Sequence, residues 1–98
     1  MNIHKIKQDS QLTLALEGRL DTATAPELEA CLNENIAGIT ALTFDMTGLE
    51  YISSAGLRVL LSAQKRMASQ GPMKVKHVNE TIQEIFEVTG FADFLNIE

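Results

Sequence analysis

Few side chains in this sequence combine a reactive atom with surroundings that could use it. The foremost are a serine pair: Ser53-Ser54-Ala55-Gly56 stands directly before apolar residues at helical spacing. A serine there can cap a helix, its side-chain oxygen accepting a hydrogen bond from an orphan amide of the first turn. The same place favours an anion, because free N–H groups and the helix dipole point at it, so a phosphoryl group on the hydroxyl is partly solvated by the helix. Spacing alone allows both readings. The small Ala55 and Gly56 leave the hydroxyls open to a second protein's active site. Asp21 is the other candidate, as a helix cap or as a polar neighbour of Ser54.

Other chemistries are poorly supplied. A carboxylate near a serine is no catalytic pair without a base, and His4 and His77, the only histidines, are not spaced to provide one. One cysteine, Cys31, and two distant histidines form neither a metal-ligand cluster nor a disulfide framework. There is no Walker pattern and no G-x-G-x-x-G, so no nucleotide-binding loop, and no cofactor is expected. Lys74 and Lys76 read as a solvated strand face, and Met67 and Met73 as core filler. Thirteen acids against eight bases give a net charge of −5, which argues against a nucleic-acid or anionic-membrane surface. No apolar run approaches the roughly 20 residues of a membrane span, and MNIHKIKQDS lacks a signal-peptide apolar region. A cytoplasmic protein without membrane insertion is expected.

The elements that must position the serines follow from periodicity. Ninety-eight residues, 45% of them hydrophobic, suit a single domain over 1–98. A short strand, Ile3 to Lys7, and a Gln8-Asp9-Ser10 turn precede Leu12, Leu14 and Leu16 in strict alternation, predicting an antiparallel hairpin. Thr24 and Glu27 have capping-box spacing, with Asp21 or Thr22 as alternative caps, ahead of a helix with the stripe Leu28, Leu32 and Ile36 that Gly38 ends. Thr40 to Met46 alternates again. Its mild second face, Ala41, Thr43 and Asp45, suggests a central strand covered on both sides. Thr47 to Ile52 leads to the serines and to a helix over Ala55–Gln70, with Leu57, Leu60, Leu61, Met67 and Ala68 inward until Gly71-Pro72. Met73 to Val78 reads as a strand, Asn79 caps a helix facing inward through Ile82, Ile85 and Phe86, and Gly90 caps its end. Phe94, Leu95 and Ile97 make a last strand.

The fold class is therefore α/β, in the order β-β-α-β-α-β-α-β: a mixed sheet with a parallel core, an N-terminal antiparallel hairpin and three main helices. The second, third and fourth strands each run into a helix, so their C-terminal ends share one rim. That rim carries Asp21 with Thr22, Ser53 with Ser54, and His77 with Asn79. Sites of open α/β sheets gather on that side.

Three stretches resemble the STAS domain of bacterial anti-sigma factor antagonists: Gly18-Arg19-Leu20-Asp21, Leu49 through Arg58, and Ile85 through Phe91. The likeness spans nearly the whole chain, and the middle stretch is its specific part. It implies a partner-switching regulator of transcription, not an enzyme. In that family the serine before a small residue and glycine is phosphorylated by an anti-sigma factor that is also a serine kinase, and a phosphatase reverses it. By position the acceptor is Ser54, and Asp21 is associated with the same site. Asp21, Thr22, Ser53, Ser54, Gly56, Leu57 and Arg58 are the partner-binding residues expected. The family pattern has an aspartate where this chain has Ser53, which removes a charge beside the acceptor and makes Ser53 an alternative acceptor. The rival reading is a STAS-type scaffold subunit of a lipid ABC transport complex, without phosphorylation.

Overall fold

Leu12, Leu14 and Leu16 all turn inward, and the sheet is built outward from them. A computed structural model describes residues 1–98 and has the expected order: β1 (Asn2–Gln8), β2 (Gln11–Leu20), α1 (Ala25–Asn35), β3 (Ala41–Ile52), α2 (Ser54–Met67), β4 (Met73–Lys76), α3 (Glu80–Thr89) and β5 (Asn96–Ile97). The strands lie in the order β1-β2-β3-β4-β5. The β1–β2 pair is antiparallel and every other pair is parallel, as the sequence predicts.

Register aligns one apolar row after another across the sheet. Leu12 pairs with Leu42 and Leu42 with Met73, while Leu14 pairs with Phe44 and Phe44 with Val75. All six are buried, and with the inner residues of the three helices they form one continuous core. The opposite face, carrying Thr13, Ala15, Thr43, Asp45 and Lys74, buries none of its side chains. The sheet is thus covered on one side only, correcting the expectation that β3 is covered on both. The small, polar second face of β3 reflects half-exposure.

β3 is also longer than the sequence pattern suggests. It continues beyond Met46 through two irregularities of register. Ala15 pairs with Asp45 but Glu17 with Gly48, and Gly18 pairs with Leu49 but Arg19 with Tyr51. At each, β3 carries one residue more than β2, which is a β-bulge. Bulging explains why Met46, Leu49 and Ile52, three residues apart, all stay buried where strict alternation would turn one outward.

Smaller corrections have local causes. The side chain of Thr24 does not cap α1, and Ala68 is exposed while Val59 and Ala63 join the inner face of α2, which ends at Met67. β4 stops at Lys76 because His77 adopts a left-handed backbone, φ 61°, that cannot continue a strand. A 3-10 turn over Phe91–Asp93 precedes the last strand, which is only Asn96–Ile97 and leaves Phe94 half-exposed. Asn79 and Gly90 cap α3 as predicted: Asn79 Oδ1 accepts from the Ile82 N–H at 2.8 Å, and Gly90 is left-handed at φ 83°. No helix is long and apolar enough to cross a membrane.

Candidate functional site

Leu20 and Ile52 are register partners at the ends of β2 and β3, so Asp21 and Ser53 leave the sheet side by side. The Ser53 N–H donates to the Leu20 carbonyl at 2.8 Å and extends that pairing by one step into the loops. α2 then starts immediately. Ser53 is its N-cap, in extended conformation, and its hydroxyl oxygen accepts from the Gly56 N–H at 3.5 Å. Ser54 is the first helical residue; it is exposed, and its hydroxyl takes no part in the cap. Of the two readings that spacing left open, capping therefore falls on Ser53, and the Ser54 hydroxyl is left outside the cap.

Gly56 is where α2 meets the sheet. A Cβ on it would lie 2.6 Å from Leu20 Cγ and 2.8 Å from Ile52 Cγ1, well inside contact distance. Gly56 and Leu57 are buried. Of the residues the sequence marks for partner contact, these two face the core and hold the helix in place, whereas Asp21, Thr22, Ser53, Ser54 and Arg58 have accessible surface. Thr22 and Arg58 line opposite sides of an open groove of about 340 Å³ between the starts of α1 and α2. Ala25, Pro26 and Glu29 from α1 and Ala55, Val59 and Ser62 from α2 complete it.

Asp21 is held firmly. Its Oδ1 accepts from the N–H groups of Ala23 and Thr24 at 3.0 and 3.1 Å and from the Thr24 hydroxyl at 3.2 Å. Thr24 Oγ1 in turn accepts from the Asp21 N–H at 2.9 Å. Asp21, not Thr24, thus organises the turn into α1. The Thr24 N–H above all, against some desolvation, holds the Asp21 carboxyl below its ordinary pKa, helped by the Thr24 hydroxyl, the Ala23 N–H and the Arg19 guanidinium. A carboxylate so stabilised is a poor proton acceptor at neutral pH, so Asp21 is a fixed negative charge and a positioner of its loop.

Sequence reasoning missed Arg19 and Tyr51. The Arg19 guanidinium lies 4.6 Å from the centroid of the Tyr51 ring, a cation–π distance, and its Nε is 4.0 Å from Asp21 Oδ2. The pair is visible only once the second bulge of β3 places Tyr51 opposite Arg19.

The expected third part of the rim does not join this site. β4 ends beside Asp45 while β3 runs on to Ile52, and Asn79 Nδ2 donates to the Leu49 carbonyl at 3.0 Å, short of the serines. Neither histidine reaches them. His4 Nε2 bonds the Glu17 carboxylate, and His77 lies close enough to Asp45 to help lower its pKa, behind the larger effect of the Thr47 hydroxyl.

Comparison with known proteins agrees with this architecture. The STAS domain model matches residues 2–98. BtrV of Bordetella bronchiseptica, named for anti-sigma factor antagonism, is 36% identical over 99% of this chain and 85% of its own length. The anti-sigma-B factor antagonist of Staphylococcus aureus is 26% identical over 99% and 92%. Among solved structures, an anti-sigma factor antagonist from Mycobacterium paratuberculosis superposes with a TM-score of 0.88 at 21% identity, over 98% of this chain and 83% of its own. The Bacillus cell fate determinant SpoIIAA, in its phosphorylated form, superposes at 0.76 with 14% identity, over 99% and 91%. The sheet order, the capped second helix and a family match over almost every residue converge, and the chain belongs to the STAS domain family.

Proposed function

We propose that this chain is an anti-sigma factor antagonist, a non-enzymatic switch whose state is the phosphorylation of Ser54. The observation that carries the reading is the division of labour at the start of α2: Ser53 is committed to the cap, and Ser54 offers an exposed, unengaged hydroxyl. Serine and aspartate are both good N-caps, so Ser53 can replace the aspartate of the family pattern without loosening the helix. The same commitment makes Ser53 the poorer acceptor.

Unphosphorylated, the protein binds an anti-sigma factor serine kinase in the cytoplasm through Asp21, Thr22, Ser54 and Arg58, and a sigma factor is released. The kinase supplies the ATP. The bond from the γ-phosphorus to the ADP oxygen breaks, the Ser54 Oγ–P bond forms, and the hydroxyl proton passes to a base of the kinase. A phosphatase hydrolyses the ester and resets the switch. The phosphate brings about −1.5 to −2 charges at neutral pH. At a helix N-terminus that charge is tolerated by the fold, but a partner covering it must strip its water, which costs several kcal/mol unless a matching cation is supplied.

Intact-mass spectrometry of protein recovered from its own cells tests the reading. One phosphoryl adduct is expected on wild type and on Ser53→Ala, and none on Ser54→Ala. Unmodified protein under every condition in which the partner is active contradicts the switch and favours the scaffold alternative.

A further inference from the structure

We infer that Arg58 is the intrachain counter-charge of phosphorylated Ser54, so that phosphorylation withdraws this arginine from the partner as well as adding negative charge. The inference rests on the proposed phosphorylation of Ser54. Ser54 and Arg58 are four residues apart on α2 and both are exposed, which puts them on one face of the helix one turn apart. The order also matters: an anion four residues N-terminal to a cation is the favourable orientation along a helix. Arg58 is ion-paired with no carboxylate, although Glu29 of α1 lines the same groove. The first turn of α2 contains no acidic residue, and the other basic residues of the helix, Lys65 and Arg66, lie in its last turn. Glu29 of α1 and Arg58 line the same groove, and on the adjoining loop the charge of Asp21 is already engaged by the neighbouring Arg19 and the Thr24 and Ala23 donors. Arg58 alone among them is an uncommitted cation.

Two consequences follow for the switch. In the unphosphorylated protein Arg58 is free to pair with an acidic group of the partner. In the phosphorylated protein the dianion claims it, so partner binding loses one attraction while meeting a new charge. An arginine can engage a phosphate through two N–H groups at once, which makes the competition with the partner unequal.

The test installs phosphoserine at position 54 during translation, so it needs no kinase. It follows the phosphorus-31 chemical shift against pH in the otherwise wild-type protein, in Arg58→Gln and in Lys65→Gln, with circular dichroism to confirm that each is folded. A helical pair of this spacing predicts that Arg58→Gln raises the second phosphate pKa by about 0.2–0.4 unit, with Lys65→Gln matching wild type. Identical titrations for Arg58→Gln and wild type, or an equal shift in Lys65→Gln, overturn the assignment. A cellular protein that never carries phosphate on Ser54 defeats the proposed switch instead, and the titration is unaffected by that result.

Discussion

The N–H of Ser53 donates to the carbonyl oxygen of Leu20 at 2.8 Å, and this one bond joins the loop that bears Asp21 to the loop that bears the serines. It extends the β2–β3 pairing beyond Ile52, so the start of α2 is set by the sheet and not by a mobile linker. The side chain of Leu20 does the complementary work from below, lying against the face of α2 that Gly56 leaves bare.

Gly56→Ala is therefore expected to destabilise the protein, although alanine is the better helix former by about 1 kcal/mol. A Cβ 2.6 Å from Leu20 Cγ and 2.8 Å from Ile52 Cγ1 forces a core shift costing about 1–3 kcal/mol. Thermal melting should show the loss, and Leu20→Val in the same chain should return part of it. A midpoint at or above wild type contradicts the close approach.

The cap separates the two serines. Ser53→Ala should cost about 1 kcal/mol, Ser53→Asp almost nothing, and Ser54→Ala almost nothing, because only the Ser53 oxygen receives the Gly56 N–H. Urea denaturation of the three variants measures this directly. Equal losses in Ser53→Ala and Ser54→Ala would mean that both hydroxyls cap.

Much of this fold is readable from spacing, and the exceptions share a cause. The hairpin, the element order and the caps of α3 come from local patterns: Leu12-Leu14-Leu16, the Asn79 and Gly90 positions, and strands alternating with helices. The second half of β3 is hidden because Met46, Leu49 and Ile52 repeat every three residues, and only pairing with β2 reveals the bulges that reconcile them. The one-sided cover of the sheet is hidden too, since Ala41 and Thr43 suit a half-exposed face as well as a covered one. At the site, Ser53 and Asp21 could be nominated as caps, but not which serine caps. Arg19 and Tyr51 carry no local signal that they meet.

Asp21 should leave a signature in acid. Its carboxyl pKa is lowered in the folded protein, chiefly by the Thr24 N–H, so it contributes stability above the unfolded value near 3.9 and loses it as pH falls through the folded value. The stability gap between wild type and Asp21→Asn should thus be full near pH 6 and close as the solution is acidified below about pH 4. A gap independent of pH contradicts this. At the site itself, Asp21→Ala should slow phosphorylation or weaken partner binding more than Asp9→Ala, which alters only the hairpin turn at a left-handed residue, φ 55°. Equal rates for both would reduce Asp21 to an ordinary cap.

Leu60 is fully buried between α2 and the sheet, and Leu60→Ala should cost about 2–5 kcal/mol. For a domain with roughly 5–15 kcal/mol of stability, that is a large drop in melting midpoint. The half-buried Leu61 should lose clearly less on the same substitution. Matching midpoints for Leu60→Ala and wild type would show the inner face wrongly assigned.

Calorimetric titration of Ser54→Asp and Ser54→Ala against the cognate anti-sigma factor kinase tests the central claim most directly. Both variants should melt close to wild type, since the cap belongs to Ser53. Ser54→Ala should bind tightly and escape inactivation. A desolvation penalty of roughly 3–4 kcal/mol at the buried charge would weaken Ser54→Asp several-hundred-fold, at about 1.4 kcal/mol per factor of ten. Equal, tight binding by the two variants would contradict the account and leave a phosphorylation-independent scaffold as the better description.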